Sequence, residues 1–116
     1  MEPPYTIRNR SATEPEYFVS KILDKYKVRY YFQFLVGAGA GVRGSMWVDF
    51  LIYNPLKTPL EVQGNYWHTG AMGEGDKLRL SILRRLLEVP KVLEIWGNEC
   101  ETLESTEQAL RKLGIV

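Results

Sequence analysis

The chain has 116 residues, 45% of them hydrophobic, with a net charge of +1, a size and composition suited to one globular domain with a substantial core. It contains no apolar run long enough for a bilayer and no apolar leader, so a non-secreted, cytoplasmic protein with no membrane contact is expected. The single cysteine, Cys100, excludes an internal disulfide and a cysteine-built zinc site.

Residues 1–12 combine prolines and arginines with little periodicity, which predicts an extended arm; residues 13–116 read as a single domain. Thr13-Glu14-Pro15-Glu16 is a helix start. Thr13 caps, Glu16 closes a capping box, and Pro15 sits where a missing N–H costs nothing. Phe18, Val19, Ile22, Leu23 and Tyr26 supply the apolar stripe of that helix. Val28 to Val36 is rich in aromatic and branched residues and predicts a strand, followed by a glycine-rich loop over 37–44. Met46 to Tyr53 predicts a second strand, closed by Asn54-Pro55, and Leu60 to Tyr66 a third.

Leu78, Ile82, Leu83, Leu86 and Leu87 recur at helical spacing and predict a helix over 75–88, ended by Pro90. Lys91 to Trp96 predicts a fourth strand, and Thr106 to Leu113, with Gly114 just beyond, a closing helix. The expected order is αβββαβα, an α/β domain.

Charge is unevenly spread. Between Lys77 and Lys91 lie five basic residues and one acid; between Glu94 and Glu107 lie five acids and no base. With Arg8, Arg10, Lys21, Lys25, Lys27 and Arg29, a basic face can meet phosphates by releasing counterions, although solvated helix surfaces explain the same pattern. Gly39-Ala40-Gly41-Val42-Arg43-Gly44 has the letters of a dinucleotide-binding fingerprint. A strand follows it where the mechanism needs a helix N-terminus, so a hairpin loop is expected, with Arg43 available to a phosphate.

The chemistry concentrates in Val48-Asp49-Phe50 and Leu60-Glu61-Val62-Gln63-Gly64-Asn65-Tyr66-Trp67-His68. Side chains alternate along a strand, so Trp47, Asp49 and Leu51 should share one face and Val48, Phe50 and Ile52 the other. Glu61 and Gln63 should share a face opposite Leu60 and Val62. With Asp49 opposite Glu61 or Gln63, two carboxylates point to the same side; a one-residue shift separates them. Two hard oxygen ligands suit magnesium or manganese, and His68 beyond the Gly64 turn can act as acid or base. Asp76 at the start of the second long helix is a further ligand candidate, and Glu16 can reach in from the first helix. Each has a plainer reading: solvent-facing acids, a packed histidine, a helix-dipole charge, a capping glutamate.

These residues, with Asp76, Arg79 and Val92-Leu93-Glu94-Ile95-Trp96, resemble the very-short-patch-repair (Vsr)-like endonucleases of the PD-(D/E)XK, or restriction-endonuclease-like, superfamily. The likeness spans roughly Thr13 to Glu99, and its specific part is Gln63-Gly64-x-x-Trp67-His68. It implies a central mixed four-stranded sheet flanked by helices and Mg2+-dependent cleavage of DNA, with Mn2+ as a substitute. By that resemblance Asp49 is the principal metal ligand, Glu61 the second-strand acid, His68 the acid/base histidine, Asp76 the following acid and Glu16 the first-helix glutamate. Gln63 occupies the position of the superfamily's usual lysine and, being neutral, cannot be a base. The zinc-binding cysteines and histidines of the mismatch-repair enzymes are absent.

The expectation is therefore a metal-dependent endodeoxyribonuclease. Arg43, Lys77, Arg84 and Arg85 are candidate phosphate contacts, and a homodimer or a protein partner would supply specificity. The alternative is a catalytically weakened nucleic-acid-binding or assembly subunit, which the glutamine at 63 favours. A nucleotide-binding domain built on the glycine loop is a third, minor possibility.

Overall fold

The computed structural model describes residues 5–36, 46–53, 56–64 and 74–116, with the backbone alone for 74–77. The elements are β1 (Thr6–Ile7), β2 (Arg10–Ser11), α1 (Glu14–Lys25), β3 (Arg29–Val36), β4 (Met46–Tyr53), β5 (Lys57–Gln63), α2 (Glu74–Leu87), β6 (Leu93–Trp96), a 3-10 turn (Gly97–Glu99) and α3 (Leu103–Lys112). From α1 onward the order is αβββαβα, as expected. The four long strands form one mixed sheet in the order β3-β4-β5-β6: the first two pairings are antiparallel, and β6 joins β5 in parallel. A parallel step needs a long crossover, and α2 lies within it.

Local chemistry sets the helices. Thr13 caps α1 with the reciprocal Glu16 contact, so the capping box forms as read. Helix α3 starts earlier than its apolar spacing suggests, because Thr102 caps it and Ser105 returns the contact. All three helices close with the six-to-one hydrogen bond of a Schellman motif: Val28 N–H to Leu23, Val89 N–H to Arg84, Ile115 N–H to Leu110. The left-handed residue is Gly114 at α3 but Lys27 and Glu88 at the others, which a search for glycine cannot find.

Two cores flank the sheet. On one face Val19, Ile22, Leu23, Ala109 and Leu110 from α1 and α3 pack on Tyr30, Phe32, Phe50, Ile52, Leu60 and Ile95. On the other, Leu83 and Leu87 of α2 pack on Val36, Val48 and Leu51. The expected stripes shift slightly: Leu78 is 62% exposed and Tyr26 faces solvent, with Leu80 and Ser20 turned inward instead.

Residues 6–11 are not a loose arm but a hairpin. Arg8 and Asn9 both have positive φ, the geometry of a two-residue type I′ turn. Ile7 enters the larger core, while Arg8 donates to the Tyr30 carbonyl and Arg10 to those of Phe32 and Gln33. Strand β3 is a sheet edge, and its open carbonyls would otherwise invite another strand. These two arginines are thus committed to backbone and do not extend a phosphate-binding face.

The alternation expected in β4 is overturned at its centre. Val48 packs with the α2 core, whereas Phe50 and Ile52 pack with the α1/α3 core, so these three do not share a face. Likewise Leu51 packs with α2 while Trp47 meets Arg10 of the hairpin. The cause lies across the strand pair. Phe32↔Phe50 and Phe34↔Val48 are in register, but the intervening Gln33–Asp49 step is missing from the ladder and Gln33 has φ 55°. One left-handed residue reverses the phase of the strand without inserting a residue. Strand β5 also begins earlier than expected, at Lys57, with Pro59 buried inside it opposite Leu51; a proline inside a run argues against a strand when read alone.

Candidate active site

Asp49 sits where the β4 phase breaks. The β4–β5 pairing runs up to Phe50↔Leu60, and at the next step the Asp49 carboxylate itself accepts the Val62 N–H at 2.8 Å. The acid therefore stands in for a backbone carbonyl at the end of the ladder. This places it beside Glu61, the residue that the register would set opposite it.

Glu61 is the buried acid of the molecule's described part, 2% exposed. Leu60 and Val62 on either side pack into the α1/α3 core, so Glu61 projects to the α2 face, as alternation requires. There Arg79 of α2 brings Nη1 to 2.6 Å from its Oε1, while Nη2 donates to the Trp47 carbonyl at 2.7 Å. Glu61 Oε1 is thus ion-paired within the buried site. Burial, first, and then the Asp49 carboxyl, by hydrogen bond and by charge, push Glu61 up to about 8; Arg79 pulls the other way without prevailing.

The other expected residues fall around this pair. Glu16 keeps its capping role and also lies within electrostatic reach of Asp49; its carboxyl is raised by burial and by that neighbour, against the capping hydrogen bonds. Gln63 lies one alternation beyond Glu61, and its amide donates to Glu94 on β6 at 3.2 Å. Asp76 and Lys77 belong to the first turn of α2, about one turn before Arg79, but their side chains lie outside the described residues. His68, Arg43 and the Tyr66-Trp67 pair lie outside them altogether. Arg84 and Arg85 are exposed in the last turn of α2, on the solvent side rather than at the acids.

The residue to which the sequence reading gives no site role is Arg79. Its signal is positional: it stands one turn before Leu83 on the stripe that α2 buries, where a charge needs a partner. Trp47 is also missed; it is 51% exposed, two residues from Asp49, with the Arg10 guanidinium over its ring at 5.8 Å.

Whether a divalent cation suits this site is decided by the donors. Asp49 and Glu61 offer hard oxygens, those of Glu61 buried and paired with Arg79. Among the described residues no third His, Cys, Asp or Glu completes a cluster. Magnesium is held by one or two carboxylates plus water and substrate phosphate, so the pair fits it, whereas zinc wants three or four protein ligands.

No protein-family model, no curated protein and no solved structure matches this chain. The residues and their geometry therefore carry the functional argument.

Proposed function

We propose that the chain is a magnesium-dependent DNA endonuclease of the restriction-endonuclease-like kind, with Mn2+ able to replace Mg2+. The observation that carries this reading is the meeting of Asp49 with the buried Glu61, a second carboxyl that Asp49 and burial raise while Arg79 pairs with it at 2.6 Å. A buried carboxyl held against a second acid costs stability, and such costs are kept where chemistry needs them. The αβββαβα order and the mixed sheet support the same reading.

Asp49 and Glu61 would hold the cation. When bound, Mg2+ polarises a phosphoryl oxygen and lowers the pKa of a water molecule. The chain's own residues do the rest. Val62 N–H fixes the Asp49 carboxylate, and the α2 core presses Glu61 from one side. Gln63 orients Glu94 and takes no proton. Arg79 is the cation nearest the acids among the described residues, with a fork suited to a phosphate. His68 is assigned the proton transfer, and Arg43, Lys77, Arg84 and Arg85 the flanking phosphates. In the reaction a water oxygen attacks phosphorus, one P–O bond breaks, and the departing alkoxide takes a proton.

Supercoiled plasmid incubated with Mg2+ tests this. Nicking should vanish with chelator, and Asp49→Ala should lower it by about a hundredfold or more. A second reading, a nucleic-acid-binding or assembly subunit, draws on Gln63 and on Arg79, which already offsets charge at the site. It predicts retarded DNA on a gel without cleavage in any divalent cation. A DNA substrate and a lone buried thiol suit an intracellular protein, and specificity would come from a second copy or a protein partner.

A further inference from the structure

The geometry of Arg79 gives it more to do than pack. Its two contacts tie α2 at once to β5, through Glu61, and to β4, through the Trp47 carbonyl. A guanidinium makes such two-point contacts from a planar fork and stays charged at any accessible pH. Its side chain is 35% exposed against 3% for Glu61, so the arginine lies on the solvent side of the buried acid. A divalent cation arriving from solvent meets a group that already neutralises part of the charge it seeks.

We infer that Arg79 is a resident counter-ion that competes with the divalent cation for the Asp49–Glu61 pair and passes to a substrate phosphate when the cation enters. The inference rests on the metal-dependent reading above. Competition, rather than joint occupancy, follows from three features. Arg79 and the cation would meet the same Glu61 oxygen and repel each other there. The arginine side chain is 35% exposed while the acid it pairs with is buried, so the guanidinium has a solvent path along which to withdraw. The guanidinium's second partner is a neutral carbonyl, and a phosphate offers a stronger, charge-assisted and bidentate replacement.

Binding of Mn2+ to the full chain without DNA, followed by the EPR signal of free Mn2+, tests the exchange. Arg79→Gln should bind Mn2+ about tenfold more tightly than the wild type, and Asp49→Asn should lose binding. Equal or weaker binding by Arg79→Gln beside a binding wild type overturns the counter-ion role and leaves the nuclease reading standing. No Mn2+ binding by either protein overturns both. Should Arg79→Gln fail to fold, the wild type decides by NMR with diamagnetic Mg2+, with Arg79→Lys identifying the guanidinium signals. Those signals should change from restrained to freely rotating as Mg2+ saturates; signals unchanged at saturation overturn the exchange.

Discussion

On the α1/α3 side of the sheet the buried polar groups are the hydroxyls of Ser20 and Thr106, each donating to a carbonyl of its own helix, Tyr17 and Thr102. On the α2 side the buried polar group is Glu61, ion-paired with Arg79 and with a second acid beside it. The first face pairs these two hydroxyls locally and is otherwise filled by Val19, Leu23, Phe50, Leu60 and Leu110. The second gives up packing to hold a charge cluster between β4, β5 and α2. The larger core and the acid pair with its arginine thus sit on opposite faces of one sheet, joined through β4, whose phase break lets it serve both.

The contrast is open to direct attack. Phe50→Ala, in the larger core and in ring contact with Tyr30 and Phe32, should cost about 3–5 kcal/mol, while Leu83→Ala on the α2 side should fall near the lower end of about 2–5 kcal/mol. Urea unfolding measures both, and a costlier Leu83 would reverse the division of labour.

The next effect depends on pH. Glu61 titrates near 8 in the fold and near 4.5 in the unfolded chain. Below 4.5 both states hold the proton, and the carboxyl imposes no charge penalty. As pH rises from 4.5 to 8 the unfolded chain releases its proton while the fold retains it, so the fold loses stability, and above 8 the loss levels off. Glu61→Gln cannot titrate and should escape this, gaining on the order of a few kcal/mol over the wild type at alkaline pH and nothing at pH 4. Melting curves across that window check it. A stability difference independent of pH would mean that Arg79 keeps the acid ionised throughout.

Smaller is the expected cost of Arg10→Ala, about 1–2 kcal/mol by chemical denaturation, from the carbonyls of Phe32 and Gln33 that it leaves open at the ladder gap. Smallest is Glu107→Gln, which removes the 2.6 Å contact with Lys25 between α3 and α1. That pair lies in solvent, and the urea midpoint should not move measurably at physiological salt.

What could be read in advance follows from how far each signal reaches along the chain. The Thr13–Glu16 capping box, the apolar spacing of α1 and α2 and the order of elements are local, set by neighbours within a turn or two. The alternation of β5 also held, with Leu60 and Val62 inward and Glu61 on the α2 face. The N-terminal hairpin escaped notice because its strands are two residues long and its turn uses Arg8-Asn9 without glycine. The caps at Lys27 and Glu88 escaped for a related reason.

By itself the sequence determined the order of helices and strands from α1 onward and that two acids stand on successive strands. Only the tertiary structure decided the register beside Phe50↔Leu60, the phase reversal at Asp49 and the arrival of Arg79 from α2. The physical reason is that a strand's partners and a buried charge's counter-ion are chosen by burial and by hydrogen bonds closed across distant segments. Asp49 turns to the Val62 N–H at the step where Gln33, on another strand, is out of the ladder.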